Sequence, residues 1–337
     1  MAKSDIRKKN AKNIEYWANR EKEQRDFYGE LTHKEIRREY YFEYMRMLKE
    51  VTNLMENFYT RITVNGTPTA NEMYKYNRYY EMQNDLREIV SNYGKAYWKI
   101  LDPKFKKLYI TNCTHILTTY NLKNMDRQRI EKVAKNLWNA NGRHWQESVW
   151  VKPRKTDTPL TAIDRRANGL FKLQTTLERG LMDCVARGAP KDDLVREIKE
   201  RCQVDWHEAD RLVRTELTHL QNQSTLDGYK ASGVTEYRYF AHEDERTSEI
   251  CHRINNKIYP IAKAEVGVNY PPMHPNCRST TVPVVNGYAP TSKTLQENAD
   301  RKKKLQDEYT KGVIEYKQKN NRKLTKKEKE WLKTHSL

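Results

Sequence analysis

Residues 206–240 read WHEADRLVRTELTHLQNQSTLDGYKASGVTEYRYF, and two periodicities meet in them. Ala209, Leu212, Val213, Leu217 and Leu220 recur at helical spacing, so the first part is one face of an amphipathic helix over about 206–231. Gly233 supplies the stop, because a glycine accepts the left-handed conformation that ends helices. After it, Val234 to Phe240 alternates apolar and polar residues, the pattern of a strand with one buried face. A helical protein therefore turns into a small mixed unit at this point.

Downstream, Lys257-Ile258-Tyr259 and Thr280 to Val285 (TTVPVV) are short strand candidates. Pro283 cannot donate to a ladder, which assigns the last of them to a sheet edge. Upstream, helices are expected over 160–187 and 191–201, broken at Gly188-Ala189-Pro190 and separated from the 206–231 helix. Asp192 and Asp193 suit a first helical turn. Trp145, Val149, Trp150 and Val151, then Pro153 and Pro159, mark a connection. Residues 4–62 contain no proline and only one glycine, and Tyr44, Leu48, Val51, Met55 and Phe58 step by four, three, four and three along a long helix. Asn65-Gly66-Thr67-Pro68 is a turn. Further helices are expected over 70–101, ended by Asp102-Pro103, then near 104–121 and 125–139.

From Gly287 onward the chain turns polar. Residues 291–337 carry 14 Lys/Arg against 7 Asp/Glu, with too few apolar side chains for a core of their own. An isolated helix or partly ordered basic segment is expected there. The fold class is thus mostly α with a small α+β unit near the C-terminus, an extended helical N-terminus and a basic helical or partly disordered tail. The expected divisions are a helical region over 1–134, a helix-then-α+β domain over 135–286, and a tail over 287–337.

The net charge is +18 on 337 residues, which favours an anionic partner. No run of 18 apolar residues suggests a membrane span, and MAKSDIRKKNAKN has no apolar stretch of the kind that marks a signal peptide. Five widely spaced cysteines, an odd count, argue against a disulfide scaffold and for reduced thiols in a cytosolic setting. The phosphate-loop, dinucleotide-binding, zinc-protease and nucleophile-elbow patterns are all absent.

Three clusters stand out within residues 214–279: Arg214-Thr215-Glu216; Asp244-Glu245-Arg246-Thr247-Ser248-Glu249-Ile250-Cys251; and Pro271-Pro272-Met273-His274-Pro275-Asn276-Cys277-Arg278. In order, spacing and identity they resemble the motifs of the Mu F-like minor head proteins, the phage head morphogenesis family. There a helix that ends in an Arg-Thr-Glu segment is followed by a strand, an Asp-x-Arg-Thr-x-x-x-Cys segment and a Pro-Pro-x-His-Pro-x-Cys-Arg segment. The resemblance covers roughly 135–285. Many relatives carry a further cysteine three positions before Cys251, where this chain has Ser248, so four thiolates are not available here.

Three readings of the cluster stay open. In the first, Arg214, Glu216, Asp244, Arg246, Cys251, His274, Cys277 and Arg278 form a packing and hydrogen-bonding set, with Arg214 or Arg246 paired to Glu216 or Asp244; no cofactor is needed. In the second, Cys251, His274 and Cys277 hold a structural zinc, with His252 or Asp244 as a fourth ligand. In the third, Cys251 is a nucleophile and His274 its base.

The resemblance implies a minor capsid protein of a tailed bacteriophage. It would be made in the host bacterial cytoplasm, carried in the capsid interior near the portal, and in contact with portal, capsid or scaffolding proteins. It would aid head assembly or act as an ejection protein in genome delivery, without being an enzyme. Arg301, Lys302, Lys303, Lys304, Lys326, Lys327 and Lys329 are the candidates for non-specific contact with double-stranded DNA. The competing functions are a Cys/His-dependent peptidase of head maturation and a nucleic-acid-binding protein unrelated to virions.

Overall fold

The computed structural model describes residues 3–147, 160–285 and 292–335; the expectations for Val149, Trp150, Val151, Pro153, Pro159 and Gly287 lie outside them. The apolar stripe read from Tyr44 to Phe58 belongs to helix α1 (Lys3–Ile62), where Met47 joins it, and it extends upstream through Tyr28, Ile36 and Tyr40, all buried. A hairpin of β1 (Thr63–Val64) and β2 (Thr67–Pro68) turns at Asn65-Gly66, both at positive φ, and leads through the short α2 (Ala70–Tyr74) to α3 (Arg78–Thr119).

Helix α3 corrects the expectation of a break at Asp102-Pro103, because it runs straight through Pro103. A proline inside a helix costs about 3 kcal/mol through a missing hydrogen bond and a clash with the preceding turn. Here Pro103 and Lys99, whose carbonyl is left without its helical donor, are both exposed, so water can replace the bond. On the opposite face Tyr93, Tyr97, Leu101, Phe105 and Leu108 are continuously buried, and at about 1.5–3 kcal/mol per buried side chain this outweighs the defect. The β-branched stretch from Ile110 to Thr119 stays helical for the same reason.

Helix α4 (Arg127–Ala140) is followed by α5 (Ala162–Ala186), which opens on a capping box between Thr161 and Asp164. A second correction concerns α6 (Lys191–Ser232), one helix where two were expected. Cys202, Asp205, Trp206 and Ala209 are buried at helical spacing across the supposed gap, so packing carries the helix past the polar residues between them. It ends at Gly233, left-handed at φ 89°, as expected. Helices α1, α3, α5 and α6 share one continuous core containing Tyr40, Tyr93, Tyr97, Leu173, Leu177, Trp206 and Leu217.

After α6 comes a three-stranded antiparallel sheet of β3 (Glu236–Phe240), β4 (Ile258–Pro260) and β5 (Thr280–Pro283), in the order β4-β3-β5. Tyr237 faces Tyr259 on one side and Pro283 on the other, which places Pro283 on an edge strand. The two buried tyrosines of β3 serve different clusters. Tyr237 packs with Tyr229 and Tyr270 against the ends of α3 and α6, and Tyr239 packs with Ala241, Cys251, Ile254 and Cys277. Between β3 and β4 lies α7 (Glu249–Ile254).

The basic segment is a third correction: its two helices are docked, not isolated. On α8 (Ser292–Lys319), Ile314 is buried, Leu305 packs on the main core, Tyr316 meets Phe42 of α1 at 4.8 Å, and Asn298 donates to Thr119 of α3 at 2.9 Å. Helix α9 (Lys326–Thr334) folds back on α8, with Trp331 donating to Asp307 at 3.1 Å and Lys317 bonded to Glu328 at 2.7 Å. The segment has no core of its own, but it borrows that of α1 and α3.

Candidate functional site: the motif loops and a cationic groove

The Arg-Thr-Glu triplet lies in the middle of α6. Residues two apart on a helix point to different sides, so Arg214 and Glu216 do not share partners. Glu216 is fully buried and pairs with Arg165 of α5. Arg214 is half-exposed and pairs one turn back with Asp210 at 3.5 Å, where His33 of α1 also bonds at 2.8 Å. Burial pushes the Asp210 carboxyl up, but His33, Arg37 and Arg214 outweigh it and hold it below the usual range. The expected pairing of Arg214 or Arg246 with Glu216 or Asp244 is thus replaced by other partners.

Asp244 forms the turn that follows β3. Its carboxylate accepts the Arg246 backbone N–H at 2.9 Å, while its own N–H donates to Thr247 Oγ1 at 2.8 Å. The guanidinium that engages it is Arg278, through a two-pronged contact of 2.6 and 2.5 Å, and this ties the second motif to the third. The Arg278 fork holds the Asp244 carboxyl well below its ordinary range. The Arg246 side chain is exposed.

Ser248 caps α7 by accepting from the Cys251 backbone N–H at 3.4 Å, which sets Cys251 on the inner side of that turn. The third motif arrives on a loop anchored by buried Tyr270, whose hydroxyl donates to the Asn222 carbonyl of α6 at 2.8 Å. Asn276 adopts φ 60° where the loop reverses, and Cys277 N–H donates to the His274 carbonyl at 3.1 Å.

Cys251, His274 and Cys277 converge here. Their ligand atoms all lie within 4.8 Å of one another. The Sγ–Sγ distance is 3.8 Å and Cys251 Sγ to His274 Nε2 is 3.4 Å. Tyr239 donates its hydroxyl to Cys251 Sγ at 3.3 Å, Ser248 Oγ is 2.8 Å from His274 Nε2, and His274 Nδ1 donates to the Pro275 carbonyl at 2.8 Å. The hydrogen bond from Cys277, opposed by burial and aided by His274 and Ser248, holds the Cys251 thiol well below the thiol range. The same bond, with burial, raises Cys277. The contact with Cys251 raises His274 against the effect of burial. His252 is exposed and bonded to Glu243 at 3.2 Å, away from the cluster, and Asp244 is committed to Arg278.

Arg214, Arg246, His274, Cys277 and Arg278 line one groove of about 770 Å³ whose other wall is α1. That wall contributes Arg25, Lys34 and Arg37, so six arginine and lysine side chains face two acidic ones, Asp26 and Glu30. The α1 wall had no sequence signal, since its charges read as an ordinary solvated face. Of the seven candidate DNA contacts, Lys303, Lys304, Lys326, Lys327 and Lys329 are exposed. Arg301 and Lys302 turn inward instead, Arg301 donating to Asn298 at 3.0 Å and Lys302 lying 4.8 Å above the Phe27 ring.

Residues 175–282, which contain all three motifs, match the family model of the Phage Mu protein F like protein, and over that stretch the chain is similar to the phage head morphogenesis proteins. No curated protein and no solved structure matches the chain.

Proposed function

We propose that this is a minor head protein of a tailed bacteriophage, carried inside the capsid near the portal, where it contacts packaged DNA and aids head assembly or genome delivery without catalytic turnover. The family match over residues 175–282 carries this reading. The net charge of +18 and the exposed lysines of α8 and α9 support contact with DNA. The cationic walls of the groove suit the acidic side chains of a portal, capsid or scaffolding partner. Cys251 argues against the peptidase alternative. It is 2% exposed, so its sulfur is withdrawn from the surface where a peptide substrate would meet it.

Mass spectrometry of purified virions before and after DNA ejection tests the location: the protein should be present in heads at low copy number, and its absence from virions refutes the reading. DNA contact is tested by changing Lys303, Lys304, Lys326, Lys327 and Lys329 to glutamate together. Truncation is the poorer test, because removing α8 would uncover the core it packs on. Log affinity against log salt should fall steeply for the natural protein, and the five-fold variant should show a slope shallower by about 0.9 for each phosphate it no longer neutralises. Equal slopes refute the role of these lysines.

A further inference from the structure

We propose that Cys251, His274 and Cys277 bind one zinc ion, which staples α7 to the loop leading into β5. A tetrahedral zinc with bonds of about 2.3 Å to sulfur and 2.0–2.1 Å to nitrogen requires its ligands to stand about 3.8 Å apart for S···S and about 3.5 Å for S···N. Cys251 Sγ stands 3.8 Å from Cys277 Sγ and 3.4 Å from His274 Nε2, and the third pair lies within 4.8 Å. Two thiols and an imidazole are the donor set that zinc favours over hard cations.

The surroundings point the same way. His274 Nδ1 carries its proton into the bond with the Pro275 carbonyl at 2.8 Å. This fixes the ring and turns the Nε2 lone pair toward the two sulfurs, the outer-shell arrangement that metal-bound histidines use. The Tyr239 hydroxyl donates to Cys251 Sγ at 3.3 Å and stabilises it as a thiolate. On binding, both thiols ligate as thiolates and their two protons pass to solvent.

The fourth position falls at Ser248. Its Oγ lies 2.8 Å from His274 Nε2, inside the separation of about 3.3 Å that two tetrahedral ligands keep. The hydroxyl therefore shifts outward to serve as ligand, or holds a water that does. Either way the site closes with an oxygen.

The local energetics call for such a staple. Helix α7 has six residues, too few to persist alone. The cluster beneath it consists of Tyr239, Ala241, Cys251, Ile254 and Cys277, so two of its five buried members are the thiols themselves. The described residues contain no disulfide that would do the same work.

The test is cobalt and zinc titration of the full-length, reduced, metal-depleted protein. One equivalent of Co²⁺ should give the visible bands of a tetrahedral site and a sulfur-to-cobalt charge-transfer band, both abolished by Zn²⁺. Protein purified without chelator should contain stoichiometric zinc, and its removal should speed amide exchange across residues 240–280 while leaving α3 and α6 protected. Cys277→Ser and His274→Ala should lose stoichiometric binding. Ser248→Cys, which supplies a fourth thiolate without removing a ligand, should tighten zinc by an order of magnitude or more. The absence of cobalt bands in the natural protein overturns the proposal, and so does undiminished binding in both ligand variants or no tightening in Ser248→Cys.

Discussion

Replacing Arg166 with methionine removes a charge from the centre of the helical core and leaves its partner behind. Arg166 and Asp205 are 2% and 4% exposed, and the guanidinium reaches the carboxylate at 2.9 and 3.3 Å. Nη2 also donates to the Tyr40 hydroxyl at 2.8 Å, and the guanidinium lies 5.2 and 5.3 Å from the Tyr93 and Tyr97 rings. The group thus joins α5 and α6 to α1 and α3. Burial lowers its pKa, but Tyr40 and Asp205 more than compensate, so it stays charged. Stranding one member of such a pair costs about 3–5 kcal/mol. An unfolding entropy of roughly 2.1 cal/mol/K per residue gives about 0.7 kcal/mol/K for this chain length, so Tm should fall by about 4–7 °C. Exchanging the whole pair for apolar residues, Arg166→Met with Asp205→Val, should restore most of the loss, because neither charge remains buried alone. Denaturant melts of the natural protein, both single variants and the double variant measure the coupling directly. The reasoning fails if Arg166→Met costs less than about 1 kcal/mol, or if the double variant shows the sum of the singles.

Burial, aided by the nearby Arg165 guanidinium, pushes His219 down to about 3. The unfolded chain then takes up a proton near the ordinary histidine pKa of about 6.5 while the folded one does not, so stability falls as pH drops from 6.5 toward 3, by about 2 kcal/mol at pH 5. Urea midpoints at pH 7 and pH 5 should differ more for the natural protein than for His219→Gln; an equal difference rejects this. Within the motif, Glu216→Ala should cost about 2 kcal/mol or more, because it removes a fully buried carboxylate from its ion pair with Arg165, whose side chain is only 20% exposed. Arg246→Ala should stay within about 0.5 kcal/mol, since its bond to Asp244 is made by the backbone; thermal melts yielding the reverse order would show that the pairing is misassigned.

What was legible in the sequence was what repeats over short distances. The Tyr44-to-Phe58 stripe, the stop at Gly233 and the alternation of Val234 to Phe240 each encode their own element, and each was found in its place. The meeting of Cys251, His274 and Cys277 was legible through the family motif, because the proline-rich loop and its cysteine belong to one pattern. What failed depended on distant partners. Pro103 reads as a helix stop until the face opposite it is known to be buried. The polar residues between Cys202 and Ala209 read as a gap until Trp206 meets Tyr40 and Tyr44. Glu216 finds Arg165 across 51 positions and Asp244 finds Arg278 across 34, and nothing local distinguishes those arginines from their neighbours. The docking of α8 rests on a few side chains, Leu305, Ile314 and Tyr316, which a composition average dilutes to nothing.

The family-matched segment leans throughout on helices that lie outside it. Trp206 sits among Tyr40, Tyr41 and Tyr44 of α1, and Asp210 receives His33. The Gln221 side chain donates to the Arg25 carbonyl at 2.9 Å and fills the space that a Cβ at Gly29 would need. Asn112 of α3 donates to Gln221, Ser224 and Thr225, Tyr109 bonds Asp227, and Ile116 presses against Gly228. Removing α1 and α3 would leave buried polar groups such as Asp227 and Gln221 without these partners, at about 1–3 kcal/mol each, and would also expose the apolar surface now packed on those helices. That sum is comparable with the whole stability of an ordinary domain. The groove follows the same logic. Its motif wall is set by residues within 175–282, whereas the facing charges come from α1. Two copies of the same motif on different N-terminal helices would therefore present the same loop opposite different charges, and in this protein those charges are Arg25, Lys34 and Arg37.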